Sequence, residues 1–398
     1  MTTLLFAGGG TGGHVFPMLA VADAVRVLLP TARLVFVGTD KGMETKLVPE
    51  RGYELELVKV LPIRGNGLGG VLRGIGRAAG SIPDARSIVA RVAPEAVFSI
   101  GGYAAGPVAL AARTLGVPLA LMEPNAEAGL ANRLIAPFVQ RAYIAFPESQ
   151  RYFTKALTVQ SGVPIREGFG PVPYRPTRDG LKVLVIGGSQ GAKSLNEAVP
   201  RALAQLGEGL HVVHQCGRAH EEAARGLYAE LGFGKRARIQ PFIENMAAAL
   251  ADADVVIGRA GASAIAEICA VGRPSLLVPY PFAGDHQKSN ADSLAKEGAA
   301  LWFPSAEATP DRIASELQKL MNDPARLIAM ADKARRLGRP QAARAIARDL
   351  LTLAGVSSLL TTQASPLTTK SPPGLASVSR REPGRAAKAR PKSRARRR

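Results

Sequence analysis

The chain is poor in cysteine, with two in 398 residues, Cys216 and Cys269. Two thiols make no disulfide framework, so the composition points to a reducing compartment. No apolar run approaches the ~18 residues that a membrane-spanning helix requires, which argues against an anchor of that kind. The opening "MTTLLFAGGG" has neither a basic leader nor a long apolar segment, so no secretory signal is expected and the expected location is cytoplasmic. No glycine-rich turn is followed by G-K-[ST], which excludes a P-loop. There is no His/Cys cluster at metal spacing and no D-x-D in an obvious donor position, so no tightly bound metal or other cofactor is expected.

Acidic residues are also few. Fifty-one Lys and Arg face 32 Asp and Glu, for a net charge of +19. The surplus is uneven: from Lys370 onward eleven Lys/Arg stand against one Glu, so this tail carries more than half of it. A basic balance predicts affinity for anionic surfaces and says nothing of the fold. A nucleic-acid-binding protein is the non-enzyme alternative, and it predicts aromatics interleaved with the basic residues. The tail has no aromatic, so no nucleic-acid partner is expected.

What the chain does have is a rhythm. Short apolar runs such as "LLFA", "RLVFVG", "AVFSIG", "KVLVIG" and "DVVIG" alternate with Ala/Leu/Arg-rich stretches over 14–29, 192–206, 219–231 and 261–271. Continuous apolar strands alternating with helices predict parallel sheets covered on both faces, an α/β class. "SGVPIREGFGPVPYRPTRDG" interrupts the rhythm and predicts a linker over 161–180, separating domains at 1–160 and 181–354. Beyond about 355 the chain turns Ser/Thr/Pro-rich and then Arg-rich, which predicts a disordered basic tail over 355–398.

Each half opens with a strand that runs into a glycine-rich turn and then a helix: "LLFAGGGTGGHV" and "KVLVIGGSQGAKSLN". Such a turn lets a bulky anion approach the backbone, and the helix N-terminus adds unpaired N–H groups and partial positive charge. Gly8, Gly10 and Gly13 satisfy G-x-G-x-x-G. A dinucleotide site also wants an acid ~20 residues on, and Asp40 comes later than that. Ser189 and Gln190 in the second turn can hydrogen-bond a phosphate or sugar. Two phosphate-type turns suit a nucleotide-sugar donor and a second phosphorylated ligand better than a nicotinamide cofactor.

"GGGTGGHVFP", "GGYAAGP", "GGSQGA", "PFIENM", "RAGASAIAEICAVGRP" and "DHQKSNA" occur in this order over roughly residues 3–350. Together they closely resemble the MurG family of peptidoglycan N-acetylglucosaminyltransferases. The resemblance implies a GT-B fold, in which two Rossmann-like parallel-sheet domains face a central cleft. It implies inverting transfer of GlcNAc from UDP-GlcNAc to the 4-hydroxyl of the undecaprenyl-pyrophosphoryl acceptor lipid I, giving lipid II. The alternatives are another GT-B enzyme, such as a glycolipid glycosyltransferase or a UDP-GlcNAc 2-epimerase.

The resemblance also implies the site. Ser189 and Gln190 would bind the UDP-GlcNAc diphosphate, with Arg166 balancing its charge. Ile243 would read the uracil through its backbone, with Met246 beside it. Glu267 would accept from both ribose hydroxyls, and Gln287 would contact the GlcNAc hydroxyls. Thr11, Gly12 and Gly13 would cradle the acceptor diphosphate or border the donor sugar, and Asn125 would also contact the donor. Gly10, Tyr103, Asn125 and His14 would face the acceptor. His14, at a helix N-terminus beside Val15 and Phe16, is expected to stay neutral and to act as the general base. Two positions depart from the family pattern: Pro124 in "EPN" and Val163 in "GVPIR" each replace a polar residue.

A lipid-linked acceptor implies a membrane surface. Leu68, Val71, Leu72 and Ile75 follow helical spacing among Arg64, Arg73 and Arg77, a pattern suited to anionic head groups. The expected localisation is peripheral, on the cytoplasmic face of the bacterial plasma membrane. The tail would add attraction, at about 1 kcal/mol per Lys or Arg near the surface.

Overall fold

The computed structural model describes residues 1–59, 80–177, 180–188, 190–281, 285–356 and 369–370. The expected membrane residues 68–75, Ser189, and all of the tail beyond 356 except 369–370 lie outside these.

The N-terminal sheet is built from β1 (Thr3–Gly8), β2 (Arg33–Gly38), β3 (Glu54–Leu57), β4 (Ala96–Gly101), β5 (Leu119–Glu123), β6 (Arg141–Ile144) and β7 (Leu157–Gln160). Their order is β7-β6-β5-β4-β1-β2-β3, all parallel. Helices α1 (Gly12–Leu28), α2 (Glu44–Glu50), α3 (Ile82–Val92), α4 (Ala105–Thr114) and α5 (Leu130–Ile135) connect them. β1 and β4 are buried at every position because helices cover both faces, which is why they read as unbroken apolar runs.

The C-terminal sheet repeats the plan with β8 (Leu181–Ile186), β9 (Leu210–Gln215), β10 (Ala237–Gln240), β11 (Val255–Gly258), β12 (Ser275–Leu277) and β13 (Ala300–Trp302). Its order is β10-β9-β8-β11-β12-β13, again all parallel. Its helices are α6 (Lys193–Ala204), α7 (Glu221–Glu230), α8 (Met246–Asp252), α9 (Ala262–Val271), α10 (His286–Lys296), α11 (Pro310–Met321) and α12 (Pro324–Leu337). In each sheet the strand order reverses beside the first strand, between β1 and β4 and between β8 and β11. Both glycine-rich turns leave from these switch points, where ligands of open α/β sheets bind.

The linker has no helix or strand over 161–177. It lies along the C-terminal domain, where the Tyr174 hydroxyl donates to the Asp254 carbonyl and Thr177 donates to the Asp254 carboxylate. The buried Arg273 donates to carbonyls of Val172, Leu250, Ala251, Val271 and Gly272.

The chain then crosses back. Helix α13 (Ala342–Leu353) buries Ile346, Ala347, Leu350 and Leu351 in one core with Val15, Met18 and Val25 of α1. The sequence groups this helix with residues 181–354, but its apolar stripe belongs to the N-terminal domain. Strand β14 (Thr369–Lys370) continues there, pairing antiparallel with β7 inside a stretch expected to be disordered. No helix among the described residues is long and apolar enough to cross a membrane.

Candidate active site

Helix α1 starts directly after the first glycine-rich turn, with Thr11 as N-cap and His14 in its first turn. The Thr11 hydroxyl makes no capping bond, and Thr11 and Gly13 are exposed while Gly12 is half-buried. The His14 Nδ1 lies 3.1 Å from the Gly9 carbonyl oxygen. A carbonyl only accepts, so Nδ1 carries the proton and Nε2 keeps its lone pair. Desolvation is the largest influence on His14 and lowers its pKa; the Gly9 carbonyl, Glu123 and Glu44 oppose it, and His286 adds to the lowering. The neutral imidazole expected from sequence follows from this burial.

Gly10 lies in the turn before α1. Its N–H already donates to Glu44 Oε2 at 2.8 Å, so it is not free for an acceptor phosphate. What Gly10 presents is an open face at φ +91, where a Cβ would touch nothing. The neighbouring turn "GGY" packs against this one by backbone: a Cβ on Gly102, at φ +90, would lie 2.7 Å from the Gly9 oxygen. Tyr103 follows, exposed at the rim.

Asn125 is held from both sides. Its N–H and Nδ2 donate to Glu123 Oε1 at 2.9 and 3.1 Å, and its Oδ1 accepts from Asn290 Nδ2 of α10 at 3.1 Å. Asn290 Oδ1 in turn accepts the Ala126 N–H at 2.8 Å, and His286 Nδ1 meets the Glu127 carbonyl at 2.8 Å. These bonds join the domains on one side of the cleft. Glu123 also accepts from Gly129 and Asn132. The Pro124 substitution leaves this cage intact, because the partners of Glu123 come from positions 125, 129 and 132. Val163 is buried in the N-terminal core, where an apolar side chain fits.

On the opposite wall the linker and α9 bring Arg166 and Glu267 together at 3.5 Å. The guanidinium sits 5.5 Å from the Phe16 ring centroid and 5.7 Å from that of Phe169. Arg166 therefore touches both domains, since Phe16 lies on α1. Desolvation raises the Glu267 carboxyl above its usual range, and Arg166 opposes that shift. The apolar residues around Glu267 in sequence are the cause.

Ile243 and Met246 are buried in one cluster with Ile165 and Phe169, beneath Arg166. Gln287 Oε1 accepts the Tyr280 N–H at 2.9 Å. Gln190 is exposed in the second glycine-rich turn. That turn is fixed by β9, because Gln215 Nε2 donates to the Gly188 carbonyl and a Cβ on Gly191 would lie 2.0 Å from the Cys216 oxygen.

Sequence reasoning missed Glu44, Glu123, Asn290 and Arg259. Arg259 reaches Ser194 Oγ at the start of α6 and Ser305 Oγ, and burial lowers its pKa. Asn290 and Arg259 lie inside the quoted motifs "DHQKSNA" and "RAGAS", and Glu123 in "EPN"; Glu44, in "GMETK", has no local signal.

The glycosyltransferase family 28 N-terminal domain matches residues 4–144 and the family's C-terminal domain matches residues 182–347. The UDP-N-acetylglucosamine--N-acetylmuramyl-(pentapeptide) pyrophosphoryl-undecaprenol N-acetylglucosamine transferase of Sorangium cellulosum is 54% identical over 360 residues, 89% of each chain. The enzyme of the same name from Myxococcus xanthus is 40% identical over 353 residues, 87% of this chain and 92% of its own. The crystal structure of Acinetobacter baumannii MurG superposes with a TM-score of 0.74 at 32% identity, covering 88% of this chain and all of that one. A Neisseria meningitidis UDP-GlcNAc 2-epimerase shares the fold alone, with a TM-score of 0.62 at 14% identity. Both halves of the chain match this one family and relatives across nearly its whole length carry the same name, so the chain belongs to glycosyltransferase family 28, within its MurG branch.

Proposed function

We propose that the protein transfers GlcNAc from UDP-GlcNAc to the 4-hydroxyl of lipid I, with inversion, yielding lipid II and UDP. The observation that carries this reading is the orientation of His14. Its Nδ1–H is committed to Gly9 and its Nε2 lone pair remains for the acceptor hydroxyl. Nε2 takes the hydroxyl proton as the oxygen attacks the anomeric carbon and the bond to UDP breaks. Arg166 balances the charge that develops on the departing diphosphate, together with the N-terminus of α6. Glu267 accepts from the ribose hydroxyls, the Ile243 backbone reads the uracil, and Gln287 contacts the sugar. Thr11, Gly12, Gly13 and Tyr103 border the reacting sugars. These cationic and dipolar groups serve in place of a tightly bound metal, so chelation by EDTA leaves turnover unchanged. The enzyme works at the cytoplasmic face of the membrane, drawn to anionic lipid by the basic tail and by the segment around Leu68–Ile75.

The test is transfer of labelled GlcNAc from UDP-GlcNAc to a lipid I analogue, following UDP and free sugar together. Lipid-linked disaccharide with stoichiometric UDP is the expected result. UDP with free sugar alone would sink the acceptor assignment and favour the epimerase-type chemistry.

A further inference from the structure

A buried carboxylate beneath the His14 turn lies outside the motifs that carry the family resemblance. Glu44, on the first turn of α2, is fully buried and has no ion-pair partner among the described residues. Its Oε2 accepts the Gly10 N–H at 2.8 Å, and its Oε1 accepts the Thr39 N–H at 2.9 Å and the Thr39 hydroxyl at 3.1 Å. Three donors and no acceptor is the pattern of an ionised carboxylate. The chain makes room for it with glycines from three places. A Cβ on Gly9, Gly38 or Gly42 would lie 2.3, 2.4 or 2.0 Å from Glu44 side-chain atoms. Burying a charge without a counter-ion is costly, and packing alone would be served better by an apolar residue.

The Gly9 carbonyl and the Gly10 N–H belong to a single peptide group. On one side that group donates to Glu44, and on the other it accepts from His14 Nδ1 at 3.1 Å. A carboxylate, a peptide and an imidazole therefore form one hydrogen-bonded chain, in which each bond polarises the next. We propose that Glu44 is a positioning residue of the transfer reaction: through the Gly9–Gly10 peptide it holds His14 with Nε2 toward the acceptor and supplies negative charge for the imidazolium that forms. The inference rests on His14 being the base. The other groups facing His14 are Glu123, whose charge acts in the same sense, and His286, which acts against it. Glu123 bonds neither His14 nor this peptide, so it contributes charge without orientation.

The experiment is the pH profile of kcat/KM for transfer to a soluble lipid I analogue, measured for the full chain and for Glu44→Gln, Glu44→Asp and His14→Ala. UDP affinity is followed by calorimetry. In Glu44→Gln the charge is lost and an amide N–H faces the Gly10 N–H. Its kcat is expected to fall about tenfold or more, with UDP affinity within about twofold of wild type. Its acidic limb should move to lower pH by about half a unit or more, because His14 loses a neighbouring anion. Glu44→Asp keeps the charge but not the reach, so it should hold the limb in place at reduced kcat. An unmoved limb in Glu44→Gln, or a loss confined to UDP affinity, overturns the proposal. If Glu44→Gln does not fold, wild-type kcat in Glu44→Asp overturns it instead. Full turnover by His14→Ala would sink the base assignment itself, a separate outcome.

Discussion

At the scale of single residues, two opposed pKa shifts organise the site, and both arise from burial. Desolvation disfavours the charged form, so it lowers His14 and raises Glu267. A lowered histidine is neutral at pH 7 and loses base function only as pH falls below its depressed pKa, so activity should persist under mildly acidic conditions. His14→Ala should reduce kcat by about 10²–10⁴-fold, the usual range for a general base, while UDP binding stays close to wild type. A loss appearing only in UDP affinity would remove the base role. Glu267→Ala should do the reverse, weakening UDP-GlcNAc about tenfold or more through the lost ribose bonds. It also leaves Arg166 without its ion-pair partner. Calorimetric titration with UDP and with uracil diphosphate analogues lacking ribose hydroxyls separates the two effects, since only the first should respond to Glu267.

His14 and Glu267 were legible in the sequence because each sits in an apolar setting beside a recognisable turn. Glu44 was not. Its burial depends on glycines at 9, 38 and 42 meeting around it, and nothing within a few residues of position 44 records that meeting.

At the scale of elements, the strands read best where both faces are buried. β1, β2, β4 and β11 fall within a residue of the apolar runs. β6 and β7 are short and carry polar residues, as in "RAYI" and "LTVQ", so their period is lost, and β13, "ALW", is only three residues long. Packing holds elements of the C-terminal domain through a buried polar chain. His214 on β9 is fully buried, with Nδ1 3.0 Å from the Tyr228 hydroxyl on α7 and Nε2 3.0 Å from Asn196 Oδ1 on α6. Asn196 Oδ1 can only accept, so Nε2 donates and Nδ1 accepts from Tyr228. Burial lowers the His214 pKa to about 3. Between pH 3 and its unfolded value near 6.5 the unfolded chain binds the extra proton. Stability should therefore fall as pH drops through that window, by up to about 1.4 kcal/mol per unit from this group. Urea titrations from pH 7 to pH 4 check this. A His214→Asn variant that shows the same acid slope would assign the loss elsewhere.

At the scale of the whole molecule, the domains are joined by contacts of different character. At the cleft, hydrogen bonds join Asn125 and Ala126 to Asn290 and Glu127 to His286, and Phe146 packs in one apolar cluster with Ile265, Cys269 and Leu294. At the back, α13 sends an apolar face from the C-terminal end of the chain into the N-terminal core. Polar ties can open and reform with ligand, whereas apolar ones cannot open without exposing core. The tail's surplus of positive charge belongs to this scale too. Removing residues 371–398, which leaves β14 in place, should preserve turnover on a soluble acceptor analogue and weaken binding to anionic vesicles, most at low salt. Unchanged vesicle binding in a flotation assay would take the membrane role away from the tail.

The sequence by itself determined the fold class, the two glycine turns, the position of His14 and the family, because each of these is written in local spacing or in ordered motifs. The tertiary structure alone decided the rest. It turned the Gly10 N–H inward to Glu44, joined Arg166 to Glu267 across 101 positions, seated Asn290 against Asn125 and returned α13 to the first domain. Each of these depends on residues far apart in the chain meeting at one point, and such meetings leave no periodicity to read.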